Sequence, residues 1–281
     1  MNLHYSDTYT DMTYNDVLVR ACAESGIAAF TGDGTNPDVM TMATKAISNA
    51  DGCGVPTIKP WNIDTIKEKM AQAKASGCFA VAMDVDAAGL PFLKNMTPPA
   101  GSKSVAELAE IVKLAERPFI VKGVMTVKGA LKAKEAGAAA IVVSNHGGRV
   151  LDQCPATAEV LPEIAAASST GVKVLVDGGI RTGVDVFKAL ALARTACSSA
   201  APSSRLSTAA VRKASSATST SWPVSWPTPC RCAARTPLRR LPQIWCGSKI
   251  YDLGYCACPD MLCHSELWRP EQRSMRRKQN L

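Results

Sequence analysis

Histidine is scarce in this 281-residue chain: His4, His146 and His264 are the whole set. Imidazole chemistry in the body of the chain falls to His146, and a metal centre built on several histidines lacks ligands there. Long apolar runs are also missing. None reaches the roughly 18 residues that a membrane-spanning helix needs, so no membrane role is expected. Met1-Asn2-Leu3-His4-Tyr5-Ser6-Asp7 has neither the basic start nor the apolar stretch of a secretory leader. The eleven cysteines are odd in number, and Cys22, Cys53, Cys78 and Cys154 are scattered singly, which argues against a disulfide framework. These absences predict a cytoplasmic chain with reduced thiols. No Gly-x-Gly-x-x-Gly follows the first strand-like run, which counts against dinucleotide binding.

What is present divides the chain in two. Residues 1–193 carry 18 Lys+Arg against 20 Asp+Glu, and residues 194–281 carry 14 against 4. The overall charge of +8 therefore belongs to the last third. Seven of the eleven cysteines lie there too, between positions 197 and 263. The expected domains are a βα unit over 1–193 and an irregular basic Cys/Ser/Pro-rich tail over 194–281.

In the first part, short apolar β-branched runs alternate with helical patterns. Strands are predicted at 27–31, 54–58, 79–84, 119–124, 139–144 and 172–177. Helices are predicted at 14–24, 63–74, 105–115, 127–136 and 184–192. Ser104 and Thr126 suit N-caps, and Gly77 and Gly137 suit helix stops. The strands are apolar nearly throughout, as parallel strands buried on both faces are. Nearly every strand ends in polar or small residues: Thr31-Gly32-Asp33-Gly34, Thr57-Ile58-Lys59, Asp84-Val85-Asp86, Lys122-Gly123, Ser144-Asn145-His146 and Asp177-Gly178-Gly179. Polar groups at the C-terminal ends of many strands favour a (β/α)8 TIM-barrel type of fold over a sheet with one crevice. About six βα units are present, so the barrel is incomplete.

Three stretches carry chemistry. Ser144-Asn145-His146-Gly147-Gly148-Arg149 places a base near an Arg able to grip a carboxylate, with glycines that admit a planar ligand. The same stretch also reads as a structural His in a turn. Asp177-Gly178-Gly179-Ile180-Arg181 leaves a strand and enters a helix, which suits an anion or a plain Gly-rich connection. Lys122 closes a wholly apolar strand, where a buried ammonium could stabilise negative charge. Asp84 and Asp86 share a face, so one can orient an imidazole while the other binds ligand. No metal site is assigned to them, because a single His lies near.

These motifs, in this order, resemble the FMN-dependent α-hydroxy acid oxidases and dehydrogenases, the lactate and glycolate oxidases among them. The resemblance covers roughly residues 10–192. It implies FMN as cofactor and oxidation of a small, lactate-like L-2-hydroxy acid to the 2-keto acid. It further implies His146 as the base, Asp86 as the holder of its imidazolium and Arg149 as the substrate carboxylate's partner. Lys122 would lie by the flavin N1–C2=O edge and Ser144 near the ring. Asp177, Gly178, Gly179 and Arg181 would hold ribityl and phosphate, with Thr31 and Thr57 as weaker flavin matches. A small 2-hydroxy acid is the expected partner. An open barrel edge also favours a homo-oligomer.

The chain departs from the family at both ends. No apolar strand precedes the helix at 14–24, and the loop 87–103 offers only Lys94 and Lys103 as cations. After Ala193, the family's eighth strand is replaced by Arg194-Thr195-Ala196-Cys197-Ser198-Ser199-Ala200. A frameshift is the expected cause: codons such as CGG ACG GCG TGC TCA TCG GCC would spell these seven residues, and shifted by two bases they would spell Asp-Gly-Val-Leu-Ile-Gly. An inactive fragment without cofactor and another phosphate-binding barrel remain the alternatives. In the tail, Cys256, Cys258, Cys263 and His264 lack standard zinc spacing, and the basic run 273–278 lacks a nucleic-acid motif. Neither zinc nor nucleic acid is expected to bind.

Overall fold

The computed structural model describes residues 10–97, 99–168, 171–181, 183–193, 196–197, 244–246 and 249–251. The chain opens with helix α1 (Asp11–Glu24), then alternates: β1 (Ala29–Gly32), α2 (Asp38–Ser48), β2 (Gly54–Ile58), α3 (Ile63–Ala75) and β3 (Val81–Asp84). A 3-10 turn (Val85–Gly89) and the short α4 (Pro91–Lys94) lead to α5 (Val105–Ala115), β4 (Phe119–Val124), α6 (Val127–Glu135) and β5 (Ala140–Val143). A second 3-10 turn (His146–Gly148) precedes α7 (Thr157–Ala167), β6 (Lys173–Val176), α8 (Gly183–Ala193) and β7 (Ala196–Cys197).

These seven strands form one parallel sheet in the order β1-β2-β3-β4-β5-β6-β7. A doubly wound sheet would reverse its order at a switch point. An unreversed run is the winding of a (β/α)8 barrel, here incomplete, with β1 and β7 as sheet edges.

Local signals explain the helices. Ser104 caps α5 in a reciprocal box with Glu107, and Thr126 Oγ1 accepts the Gly129 N–H at 3.0 Å. Each such cap stabilises by about 1 kcal/mol. Gly77 and Gly137 follow α3 and α6 with φ of 74° and 89°, the left-handed stop that glycine adopts without penalty. Helices α2 and α7 exceed the sequence expectation. Pro162 inside α7 and the Thr-interrupted stripe of α2 hide their period, while Met40, Ile47, Leu161 and Ile164 still bury fully. The seventh strand is also a correction: Ala196–Cys197 pairs with Leu175–Val176, one strand beyond the six predicted. A further correction lies in the tail, where β8 (Ile244–Cys246) and β9 (Lys249–Tyr251) form an antiparallel pair.

Alternation along each strand makes two cores. Val81, Met83, Val121, Ile141, Val143 and Val174 face the helices and join Ile66, Met70 and Ile111. Val55, Ala82, Ile120, Ala140 and Val142 face the interior with Phe30 and Leu175. One two-residue step toward the C-terminal ends, the inward positions turn polar. Thr57 follows Val55, Asp84 follows Ala82 and Lys122 follows Ile120. Ser144 follows Val142, and Asp177 follows Leu175. That change of layer positions the site.

Candidate active site

His146 stands just beyond β5 in a left-handed backbone, φ 57°, followed by Gly147 at 67° and Gly148 at 74°. A non-glycine residue there costs on the order of 1–3 kcal/mol, a strain typical of functional positions. Neighbouring groups fix it. The His146 N–H donates to Ser144 Oγ at 3.2 Å, and the Gly147 N–H to Asn145 Oδ1 at 3.1 Å. Arg149 Nε donates to the His146 carbonyl at 3.1 Å. The outer nitrogens of the Arg149 guanidinium have no partner among the described residues and remain available to an anion.

The imidazole Nδ1 lies 3.2 Å from Asp86 Oδ2 and 3.3 Å from Oδ1. This pairing assigns the proton to Nδ1 and leaves the Nε2 lone pair free as a base. Asp86 sits in the 3-10 turn after β3 and rests on Gly123. A Cβ at Gly123 would stand 2.3 Å from Asp86 Cγ, and Gly123 has φ 96°. The register of β4 against β5 shifts between Lys122 and Val124. This bulge makes room for the carboxylate that orients the imidazole. The loop after β3 closes on the loop after β5, since a Cβ at Gly89 would meet Val150 Cγ1 at 2.6 Å.

Lys122 Nζ lies 2.9 Å from Asp84 Oδ1 and 3.9 Å from Asp177 Oδ2. The closer approach is an ion pair. Burial acts to depress the Lys122 pKa, but the charges of Asp84, Asp177 and Asp86 outweigh it, and the net pKa lies above 10.5. Burial raises the Asp177 pKa, against the opposing pull of Lys122 and a hydrogen bond from Ser144. Asp84, Asp86 and His146 present ligand atoms within 4.8 Å of one another, a spacing that could hold a metal ion. Lys122 already supplies a cation beside them.

Beyond β6, Gly178 and Gly179 have φ of 93° and 78°, and open space surrounds the Cβ position of Gly179. The Arg181 N–H donates to Asp185 Oδ2 at 3.0 Å, and Arg181 Nη1 to the Ile180 carbonyl at 3.0 Å. Thr57 faces the interior layer. Thr31 shares the parity of Ala29, on the helix-facing side, so β1 does not bring it to the others.

Sequence reasoning missed a second cluster on the same rim. Asp33 is fully buried after β1. Its Oδ1 takes Lys59 Nζ at 2.5 Å, while its Oδ2 takes Trp61 Nε1 at 2.7 Å and the Lys59 N–H at 3.2 Å. Lys69 Nζ lies 3.5 Å from Oδ2. Asp33 and Lys59 both stood out as polar strand ends. Their pairing across 26 residues had no local signal.

A parallel βα array with a carboxylate-oriented histidine and a lysine-bearing interior at the strand ends has the layout of a barrel-type enzyme site. Residues 91–204 match the model of the FMN-dependent dehydrogenase family. A peroxisomal (S)-2-hydroxyacid oxidase of Arabidopsis thaliana is 56% identical over 79 residues, covering 28% of this chain and 22% of the relative. An L-lactate oxidase of Lactobacillus jensenii is 53% identical over 87 residues, covering 31% and 21%. The chain thus spans about a fifth of the length of these curated relatives. Among solved structures, a mandelate oxidase with (S)-2-phenylpropionate superposes with a TM-score of 0.64 at 26% identity, covering 80% of this chain and 70% of that one. A lactate oxidase of Pediococcus acidilactici, at 24% identity and TM-score 0.65, shares the fold over 75% of this chain and 64% of its own.

The family's cofactor is FMN, and the donor set here fits it. A lysine beside the buried Ser144 suits the negative charge of a reduced ring. Two left-handed glycines at a helix entrance admit a phosphate closely. One feature stands apart: the Asp185 carboxylate occupies the Arg181 N–H that a phosphate would otherwise use.

Proposed function

We propose that this site oxidises a small L-2-hydroxy acid to the 2-keto acid with FMN. The observation that carries the reading is the Asp86–His146 pair, with the His146 Nε2 left free at the mouth of a cation-lined interior. Arg149 grips the substrate carboxylate with its outer nitrogens. His146 Nε2 takes the substrate proton, and Asp86 holds the imidazolium that forms. A base of this kind contributes roughly 10²–10⁴-fold. FMN, when bound, would supply the two-electron acceptor and would take up the second hydrogen that the substrate loses. Lys122 offsets the charge that develops beside it, and Ser144 packs against the same edge. Asp177, Gly178, Gly179 and Arg181 hold ribityl and phosphate, with Thr57 at the ring and Thr31 more distant.

The chain acts in the cytoplasm, in keeping with its singly spaced cysteines. Among the described residues, no helix is long and apolar enough to cross a membrane. The edge positions of β1 and β7 in the sheet favour pairing with a second copy. The test is anaerobic reduction of the FMN-loaded chain by L-lactate. Bleaching of the visible flavin band that slows at least about 100-fold in His146→Ala supports the role. An equal rate in the variant removes His146 from the reaction.

A further inference from the structure

The loop that carries His146 leaves β5 after Val143 and ends where α7 starts, at Thr157. Both ends of this loop are fastened to one residue, Asp177. At the outgoing end, the Asp177 N–H donates to the Val143 carbonyl at 3.1 Å, and the buried Ser144 hydroxyl hydrogen-bonds the Asp177 carboxylate. At the returning end, the Thr157 hydroxyl donates to the Asp177 carbonyl at 2.7 Å. Between the two, Asn145 Nδ2 donates to the Pro155 carbonyl at 3.3 Å and closes the neck of the loop. Ser144 Oγ also accepts the His146 N–H, so this clasp reaches the base itself.

Thr157 is the part of the clasp that local structure does not need. A hydroxyl at the start of a helix ordinarily helps to satisfy the free N–H groups there. Helix α7 has Ala156 at its N-cap and no side-chain cap, while Thr157 spends its one O–H on a carbonyl 20 residues away. Thr157 is only 5% exposed, too buried for water to replace a lost partner freely. The same hydroxyl lies under the next residue. A Cβ at Gly178 would stand 3.0 Å from Thr157 Oγ1, and Gly178 has φ 93°. The Asp177 carbonyl belongs to the planar peptide that leads into Gly178, so fixing it fixes the plane from which the Gly178–Gly179 turn starts.

We propose that Thr157 is a positioning residue whose hydroxyl holds the Gly178–Gly179 turn for the cofactor phosphate and, through the same clasp, keeps His146 in its left-handed backbone. The inference rests on the proposed hydroxy acid site. Thr157 acts through Asp177 and Gly178 on one side, and through the loop closed by Asn145 on the other. One hydrogen bond thereby links the grip on the cofactor to the aim of the base, where a displacement of about 1 Å can cost about 100-fold in rate.

The test uses the full chain with Thr157→Ala and Thr157→Ser. Both variants lose the methyl group and differ only in the hydroxyl. FMN affinity is read from quenching of flavin fluorescence. The imidazole of His146 is followed by NMR in the chain without FMN. The chain has three histidines, and loss of a signal in His146→Ala identifies the one that matters. Thr157→Ala weakens FMN binding about tenfold, the size expected when a buried carbonyl loses its donor. It also moves the His146 signal, and Thr157→Ser restores both. Thermal unfolding, followed in parallel, confirms that each variant is folded. An FMN affinity or a His146 signal that Thr157→Ala leaves in place overturns the inference, as does Thr157→Ser behaving like Thr157→Ala. Thr157 is then a packing residue. An unaltered chain that binds no FMN overturns the hydroxy acid reading instead, and the His146 signal alone then decides whether the clasp holds the base.

Discussion

Two charged clusters share the C-terminal rim of the sheet, and they are built in opposite ways. Around His146, three carboxylates, Asp84, Asp86 and Asp177, face one lysine. The backbone there is strained at His146 and bulged at Gly123. Around Asp33, two lysines face one carboxylate that is fully buried and held by several donors. The first cluster keeps unspent acceptors, a free imidazole nitrogen and stored strain, as a site that must change protonation does. The second fixes two loops together and exposes one cationic corner. The comparison separates the end of the rim where a proton transfer is proposed from the end that holds charge still.

The largest effect should come from breaking the fixed cluster. Asp33→Ala strands two partly buried ammonium groups and the Trp61 N–H, at a cost of roughly 3–5 kcal/mol. Urea unfolding measures this. Asp86→Ala should cost less stability and more turnover, and the reverse order would collapse the distinction between the clusters. Gly123→Ala comes next. The new Cβ meets Asp86, and a left-handed φ penalises alanine, together on the order of 1–3 kcal/mol. Flavin reduction by substrate should slow tenfold or more (about 1.4 kcal/mol) as the imidazole loses its partner. An unchanged rate would show that Asp86 does not orient His146.

A third test is pH. The Lys122 pKa is raised in the folded chain, so its stabilisation is fully present below 10.5 and is lost as pH rises through the higher folded value. Lys122→Met should therefore destabilise the chain at neutral pH, with the difference from the unaltered protein shrinking above pH 10.5. A difference that grows with pH contradicts the assignment. The smallest effect is a control remote from both clusters: Ser104→Ala should cost about 1 kcal/mol of stability and leave FMN affinity unchanged.

Much of this was legible in the residues themselves. Apolar β-branched runs gave strands β2 and β4 to the residue, because buried parallel strands need side chains of that kind on both faces. The caps at Ser104 and Thr126 were legible because capping is a three-residue affair. His146, Asp86 and Lys122 were legible as polar endings of apolar strands. The partners were less so. That Asp84 would take Lys122, leaving Asp86 for His146, depends on a bulge at Gly123 and on strand register. The Asp33 cluster depends on contacts between loops 26 and more residues apart. Helix α7 was hidden by Pro162, and the burial of its Leu161 and Ile164 face is decided by tertiary packing.

The central claim is tested most directly by titrating FMN into the full chain and then adding L-lactate without oxygen. The account predicts saturable quenching of flavin fluorescence in both the unaltered chain and His146→Ala, with bleaching of the visible band in the unaltered chain alone. Absence of saturable FMN binding, or equal bleaching in the variant, would contradict it.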